Sequence, residues 1–245
     1  MKIKQFKLKR SQDLVITADV LDKVFLYDVD TEPIRRAANS LLKDKNEDID
    51  ENYWRYKIEN LTMPVRTTKH LVPKQVKGKN LLLTLDMSIV ADYREWENLS
   101  DPLVDLNFKV TIRGVGDRGS HFMCFHLDRH DLSKEANEPH PTYHIQYSNN
   151  PEENGDFDYG NTLLLDTPRL AHHPLEFILG IGFLTSNFYP SAFEKIMDES
   201  YFPGLYRRYQ ERILKPYYHT MASYWAPYDH SKIVMNSKDL CPILI

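Results

Sequence analysis

The sequence predicts an α+β protein in which an antiparallel four-stranded meander packs against N-terminal helices and a buried C-terminal helix. Three observations carry this prediction. Apolar residues recur at helical spacing before residue 80, they alternate in strand-like fashion from about residue 80 to residue 147, and an almost wholly apolar helix follows Pro174. Elements that are segregated by type along a chain are typical of α+β folds, whereas alternating elements are typical of α/β folds.

The composition is that of a globular protein. Hydrophobic residues make up 42% of the 245 residues and charged residues 27%, and the net charge of −4 gives no overall attraction to nucleic acid. The two cysteines, Cys124 and Cys241, are too few for a disulfide framework and predict reduced thiols. The first residues lack the apolar core of a signal peptide, and no stretch approaches the roughly 18 apolar residues of a membrane span. We therefore expect a cytoplasmic protein without a membrane segment.

Residues 1–79 are predicted to form mainly a helical layer. The opening MKIKQFKLKR is interpreted as a short edge strand or a solvated arm, because its lysines alternate imperfectly. From Ser11, a suitable N-cap, apolar residues recur on one helix face as far as Phe25. A second helix is predicted near Thr31, with Pro33 in its first turn. The stretch YWRYKIENL could continue as helix or as strand, and we interpret it as helix.

Residues 80–170 are predicted to form the antiparallel sheet. In the predicted strand LVDLNFKVTIRGVG, Leu103 and Asp105 point to the same side, which is assigned as the polar face. Val104 points to the other side, which is assigned as the apolar face. A short further strand, TLLLD, is expected after a polar loop. The four predicted strands of the meander are NLLLTLDMSIVADY, LVDLNFKVTIRGVG, HFMCFHLD and TYHIQYS.

The apolar helix after the sheet begins the C-terminal helices, which are predicted over residues 171–225. Pro174 suits the first helical position because its missing N–H is one that a helix start leaves unpaired, and His173 then lies in the cap region. The helix has scarcely any polar face, so it must be buried. Gly180 and Gly182 weaken a helix, and we expect them to allow close approach to the sheet.

A final helix is predicted from Gly204, and Pro216 should kink or end it. Its basic and aromatic residues favour an amphipathic helix, although single-strand nucleic-acid binders show the same pattern. The tail, residues 226–245, is polar and then apolar. We predict one α+β domain over residues 1–245.

Two of the predicted strands carry histidines at positions that antiparallel pairing would bring together. His126 and Asp128 share one strand face, and His144 and Gln146 share a face of the next strand. Directly opposed residues in such a pair have Cβ atoms about 4.5–5.5 Å apart. The register is not determined by the sequence, so this proximity is a prediction.

Besides ligand binding without chemistry, three interpretations of these residues remain open. In the first, His126, Asp128 and His144 bind a divalent metal such as zinc or iron, with His130 and His172 as reserve ligands. Two nitrogens and a carboxylate are enough for an open catalytic centre, but HxDxxxH is a weak motif.

In the second interpretation, histidines are the general acid and base of phosphodiester cleavage. The candidate catalytic residues are His126, His144 and His172, with Arg169 as a phosphate clamp. In the third, the residues form an ordinary polar strand face whose histidines hydrogen-bond to their neighbours. No cofactor-binding motif is present in the sequence.

The turn before the apolar helix offers a separate candidate site. Asp166 is expected to cap the turn and Arg169 to pair with a carboxylate. The positive end of the helix would then lie beside His172, His173 and Arg169, which suits an anion.

The strand PTYHIQYS, the turn PRLAHHP and the helix end SNFY together resemble a family of uncharacterised bacterial proteins. The resemblance covers residues 141–189, about a fifth of the chain. It implies a strand, a proline turn and a buried helix, and a bacterial cytoplasmic origin. It implies no activity, although proteins of this kind often belong to mobile or defence-associated operons.

We therefore expect a cytoplasmic bacterial binding or assembly component, in a defence or toxin–antitoxin context, that acts through a protein partner or as a homo-oligomer. The alternative is a histidine-based hydrolase or nuclease, either metal-dependent or working by general acid–base catalysis. The absence of a catalytic signature favours the first, and the clustered histidines favour the second.

Overall fold

In the described part of the chain, helices precede and follow a six-stranded antiparallel sheet in sequence order. The structure is a computed structural model that describes residues 3–44, 50–65, 76–116, 119–130, 141–147 and 169–224. The strands are β1 (Tyr53–Val65), β2 (Val76–Asp92), β3 (Leu103–Gly116), β4 (Gly119–Arg129), β5 (Tyr143–Tyr147) and β6 (Leu170–Ala171). The helices are α1 (Ile3–Val24), α2 (Glu32–Lys43), α3 (Tyr93–Asn98), α4 (Phe177–Phe188), α5 (Pro190–Met197), α6 (Phe202–Tyr209) and α7 (Lys215–Ser223).

Each strand pairs with its neighbour in sequence, so the sheet is a meander in the order β1 to β6. The α+β class is therefore confirmed, with helices before and after an antiparallel sheet. The prediction of four strands is wrong, because the described sheet has six. The expected strand TLLLD, the proposed cap Asp166 and the tail of residues 226–245 lie outside the described residues.

Two N-terminal segments differ from their prediction. YWRYKIENL lies in β1, where Trp54, Tyr56 and Ile58 are buried at every second position, so this stretch is a strand and not a continuation of the helical layer. The lysine-rich opening is helical from Ile3 and belongs to α1. It is neither an edge strand nor a solvated arm, because Phe6 is 1% exposed and packs on the Trp54 ring at 5.6 Å.

The sheet has one apolar face, which the helices cover, and one polar face. A register shift opposite Val90 and Ala91 inserts one extra residue near the start of β3. As a result Leu103 is buried and Val104 is 38% exposed, the reverse of the predicted assignment. Such a bulge changes which face a side chain occupies, and alternation alone does not reveal it.

Helix α4 is buried, as predicted, and lies against the apolar face. A Cβ atom at Gly180 would overlap the ring of Phe108 in β3, so this glycine permits the expected close approach to the sheet. A Cβ atom at Gly182 would instead overlap Tyr206 of α6, so the second glycine permits close packing of α4 against α6. The helix begins at Phe177 and its N-cap is Glu176. The sequence instead predicts a start at Pro174 with His173 in the cap region.

The final helix begins at Phe202, close to the predicted start at about Gly204, and it does not end at Pro216. A π-helical turn (Gln210–Leu214) connects α6 to α7, and Pro216 occupies the first turn of α7. The π-helical hydrogen bonding therefore lies just before the proline, which cannot donate a backbone hydrogen bond. Among the helices that the structure describes, none has the length and hydrophobicity needed to cross a bilayer.

Candidate metal centre

The register of β4 and β5 brings the predicted histidines together on the polar face of the sheet. Asp128 is the Cα partner of His144, and His126 is the partner of Gln146. Both predicted proximities are therefore confirmed. His126, Asp128 and His144 each offer one ligand atom, and these three atoms all lie within 4.8 Å of one another.

The geometry of the three side chains suits a cation. The His144 Nε2 atom lies 2.9 Å from Asp128 Oδ1, and the His126 and His144 rings are 6.5 Å apart at an interplanar angle of 79°. With ligands about 2.1 Å from the ion, neighbouring ligand atoms of an octahedron are about 3.0 Å apart. The spacing of Asp128 and His144 already matches one such edge, so little movement is needed there.

Burial at this cluster decreases outward from His144. The His144 residue is 2% exposed, whereas the Asp128 side chain is 35% exposed and His126 is half-buried. One imidazole is therefore anchored in the protein and held by the Asp128 carboxylate. The other two groups face a solvent-accessible side, as an open centre requires.

Two other predicted site residues, Arg169 and His130, are not among the three clustered residues. Arg169 is exposed and immediately precedes β6, in which Ala171 is the Cα partner of His144. Strand alternation therefore puts Arg169 on the same side of the sheet as His144. His130, proposed as a reserve ligand, is half-buried at the end of β4 and is not among the three clustered residues.

His172 lies on the opposite face of the sheet. Its ring packs against Phe183 of α4 at 5.8 Å, and Phe183 in turn contacts Phe125 on the apolar face. The backbone N–H of His172 donates to the Tyr143 carbonyl at 3.1 Å. The second interpretation requires His172 beside His126 and His144, and the structure instead separates it from them by the sheet.

His172 and His173 form a pair of neutral imidazoles. Their ring centroids are 4.1 Å apart, His172 Nδ1 is 2.7 Å from the His173 carbonyl oxygen, and the Tyr218 hydroxyl is 3.0 Å from His173 Nδ1. Burial lowers the pKa of His172, and burial together with His172 lowers the pKa of His173 to about 3. Neither ring carries a charge at neutral pH. The two histidines therefore supply no positive charge to the anion-binding site that the sequence suggested.

A buried acidic residue that the sequence analysis did not single out occupies the start of α4. Glu176 is the N-cap, fully buried, and its Oε2 accepts a hydrogen bond from the Ile178 amide at 2.8 Å. The Tyr56 hydroxyl of β1 donates a short hydrogen bond to Oε1. Burial raises the pKa of Glu176 to about 7. The helix amide that an external anion would need is thus bonded to Glu176.

A second buried carboxylate, Asp13 of α1, lies in the same interior region. Its oxygens accept from Arg208 at 2.6 Å and from the Tyr209 hydroxyl at 3.1 Å, and they pair with Arg10 at 2.8 Å. The Arg10 guanidinium is held between the rings of Phe6, Trp96 and Tyr209, at 4.8–5.2 Å from their centroids. Burial raises the pKa of Asp13. We call Arg10, Asp13, Tyr56, Glu176 and Tyr209 the interior cluster.

A single sequence signal pointed to the interior cluster. Glu176 is the one charged residue in the stretch PLEFILGIGF, and a lone carboxylate there needs a partner if the helix is buried. Its partner Tyr56 is 120 residues away in sequence, and Arg208 is 195 residues from Asp13. No local pattern connects residues at these separations.

No protein-family model, no curated protein and no solved structure matches this chain. The resemblance of residues 141–189 to uncharacterised bacterial proteins stays a prediction. Function is therefore inferred from the geometry of the two clusters.

Proposed function

We propose that the protein is a divalent-metal-dependent hydrolase that cleaves a phosphodiester on the polar face of the sheet. His126, Asp128 and His144 are the metal ligands. The observation that carries this proposal is the convergence of their three donor atoms to within 4.8 Å on paired strands. An ordinary polar strand face has no need to aim two imidazoles and a carboxylate at one point.

The donor set favours particular ions. Two imidazoles and one carboxylate bind zinc in catalytic sites and iron in the facial triads of oxygenases, and both arrangements leave coordination positions open. A bound ion would supply a water molecule that is acidic enough to act as a nucleophile near neutral pH. His144 is the anchored ligand, since it is the most buried of the three.

Arg169 is the proposed phosphate-binding residue. It lies beside the strand pair on the same side as His144, and the residue is exposed. A planar guanidinium presents two parallel N–H donors to phosphate oxygens. It would orient the diester and neutralise charge that develops as the bond to the leaving group breaks. His172 takes no part in this proposal because it lies on the other face.

Hydrolysis of bis(p-nitrophenyl) phosphate tests the proposal. The protein is stripped with a chelator and reloaded with Zn²⁺, Mn²⁺ or anaerobic Fe²⁺. We expect activity to return with one of these ions and to fall about 100-fold or more in His144→Gln and in the half-exposed Asp128→Asn. The matched control is His219→Gln, which removes an exposed histidine of α7 and should retain wild-type activity.

Three results would overturn the proposal. They are no hydrolysis with any of the ions, activity that survives chelation, and full activity in both ligand variants. Circular dichroism of each variant separates loss of the site from loss of the fold. Asp128→Asn serves as the second variant because the side chain is partly exposed and its replacement disturbs little packing.

A second candidate function, the binding or assembly component, is favoured by one observation. Helix α7 has no buried residue, and it exposes Tyr218, Met221 and the adjoining Tyr224. Exposed aromatic residues at this density are typical of a surface for self-association. Light scattering should then give a mass above 28.9 kDa for the wild-type chain and the monomer mass for Met221→Ser. A strict monomer for both proteins would contradict this candidate.

A further inference from the structure

The connection between α1 and α2 exposes two large apolar side chains on strained backbone. Leu26 and Tyr27 are each 80% exposed, and their φ angles are 51° and 63°. Left-handed backbone at the end of a helix is normally supplied by glycine or asparagine, because a bulky side chain is strained in this conformation. The fold therefore accepts strain at two consecutive positions whose side chains add almost nothing to its core.

A third exposed aromatic residue, Tyr201, lies at the same end of the molecule. It precedes α6 and is 78% exposed. The ion pair of Lys23 with Glu199, at 2.7 Å, holds the end of α1 beside the segment that leads to Tyr201. A ring contact of Phe25 with Tyr189, at 5.2 Å, joins the residue after α1 to the start of α5. We call these three exposed residues the α1 corner: Leu26, Tyr27 and Tyr201.

The chain around the α1 corner is acidic. Residues 26–34 contain three exposed acidic residues and no basic residue. These acidic residues are Asp28, Asp30 and Glu32. Asp198 is a further exposed acidic residue, three positions before Tyr201. Arg35, the next basic residue after this segment, is paired with two carboxylates of α1. A surface that combines apolar side chains with positive charge is therefore complementary to the α1 corner.

Helix α7 offers such a surface on the same chain. No residue of this helix is buried, and exposed side chains recur at every third position, so they follow one side of the helix. They are Lys215, Tyr218, Met221 and, directly after the helix, Tyr224.

The segment that contains α7 is basic. Residues 207–224 contain four basic residues and one acidic residue. Arg208 pairs with Asp13, and Arg212 donates to the Trp96 carbonyl. The other two, Arg207 and Lys215, are exposed. The charge of α7 and its approach is thus opposite to that of the α1 corner.

We infer that the protein assembles head to tail, with the α1 corner of one copy in contact with α7 of the next copy. This inference rests on the binding or assembly candidate and is independent of the metal centre. A contact of α7 with α7 of a second copy would bring two basic segments together, whereas the α1 corner brings acidic residues to a basic segment. Because the two surfaces differ, each copy in a contact keeps one further surface for another copy.

Light scattering of the wild type and two variants tests the inference. Tyr27→Asn removes the ring, and asparagine accepts left-handed backbone, so the turn is retained. Met221→Ser removes an exposed side chain of α7. The wild type should exceed the monomer mass of 28.9 kDa, and each variant alone should lose about 10-fold or more in association constant. The matched control is Leu82→Thr, which removes an exposed leucine of β2 and should assemble as the wild type does.

An equimolar mixture of the two variants distinguishes this contact from one between identical surfaces. Met221→Ser retains the α1 corner and Tyr27→Asn retains α7. The mixture should therefore form a complex of two chains and no larger one, because the two remaining surfaces are the altered ones. Thermal unfolding of each variant at low concentration verifies that it is folded.

Salt dependence gives a second readout. Raising the salt concentration from about 0.05 M to about 0.5 M should weaken wild-type association several-fold, because salt screens exposed charges. Association that does not depend on salt would contradict the charge complementarity of the two surfaces and overturn the inference.

The inference and the assembly candidate fail in different ways. A mixture that stays monomeric while the wild type assembles would overturn the head-to-tail contact and leave the assembly candidate in place. Unchanged assembly of Tyr27→Asn would have the same meaning. A wild type that is a strict monomer would overturn both, and metal-dependent hydrolysis would be unaffected.

Discussion

The interior cluster and the histidine cluster lie on opposite faces of one sheet and handle charge in opposite ways. In the interior cluster both oxygens of Glu176 accept hydrogen bonds from protein groups, and both oxygens of Asp13 are bonded to protein donors or cations. In the histidine cluster three ligand atoms converge on one point, and two of their side chains are partly exposed. The carboxylate oxygens of the interior cluster make bonds that stabilise the fold, whereas the ligand atoms of the histidine cluster converge on one position.

The comparison shows that a shifted pKa and a chemical role are separate properties. Glu176 has a pKa of about 7 because it is buried, and a value near neutrality is what a general acid or base requires. Its two hydrogen-bonding partners, however, are a helix amide and a core tyrosine, so its task is to cap α4. Perturbed titration marks a candidate site only where the group also reaches a ligand.

The largest effect should come from removing Asp13. Asp13→Ala leaves the Arg10 guanidinium buried without its carboxylate, which costs about 3–5 kcal/mol of the free energy of unfolding. Urea denaturation followed by circular dichroism measures this loss. Asp19→Ala in the same helix removes an exposed carboxylate paired with Arg35, and it should cost at most about 1 kcal/mol. Equal costs for the two variants would remove the distinction between interior and surface pairs.

A pH titration of stability isolates Glu176. Because folding raises its pKa from 4.5 to about 7, the folded state binds more protons than the unfolded state between these values. The stabilisation is complete below pH 4.5 and is lost as the pH rises to about 7, by up to about 3 kcal/mol.

The measurement is the difference in unfolding free energy between the wild type and Glu176→Gln at each pH. The lowered pKa of His173 gives the opposite slope between pH 3 and 6.5, and it cancels in this difference. A difference that stays constant from pH 4.5 to 7 would show that Glu176 does not titrate in this window.

A substitution at the contact between α4 and the sheet should have a smaller effect on stability. Gly180→Ala forces a methyl group into the ring of Phe108 and should cost about 1–3 kcal/mol. Gly204→Ala in α6 is the matched control, since a Cβ there meets nothing within 4 Å. Because Gly204 lies in the first turn of α6, that control should gain less than the roughly 1 kcal/mol typical of a helix interior. Thermal unfolding shows whether each substitution stabilises or destabilises the protein, and a stabilising Gly180→Ala would contradict the described packing.

The smallest effect on the metal-free protein is expected at the histidine cluster. His126→Gln changes a half-buried side chain on the polar face and should alter the unfolding free energy by about 0.5 kcal/mol or less. Adding Zn²⁺ at 100 times its dissociation constant should stabilise the wild type by about 2.7 kcal/mol and leave the variant unchanged. Equal stabilisation of both proteins would mean that the ion binds elsewhere.

Strand alternation could assign three residues of the histidine cluster to common faces, whereas no local pattern reaches the interior cluster. Strand alternation operates over two residues, so His126 and Asp128 could be assigned to one face and matched with His144 on the next strand. Only the register was needed, and the predicted pairing is confirmed.

The interior cluster draws on α1, β1, α4 and the residues around the π-helical turn, and these meet only in the folded chain. Arg10 and Phe6 belong to a lysine-rich stretch whose charge indicates exposure, and only contacts with Trp96 show that this face is buried. The separation of His172 from His144 is equally non-local, since it depends on α4 packing on the apolar face.

The most direct test is a titration of the metal-free protein with Co²⁺, followed by visible absorption and calorimetry. The account predicts one ion per chain, with d–d bands of an imidazole-ligated centre that disappear in His126→Gln and His144→Gln and persist in His219→Gln. Binding that is absent from the wild type, or identical in all four proteins, would contradict the assignment of His126, Asp128 and His144 as a metal centre.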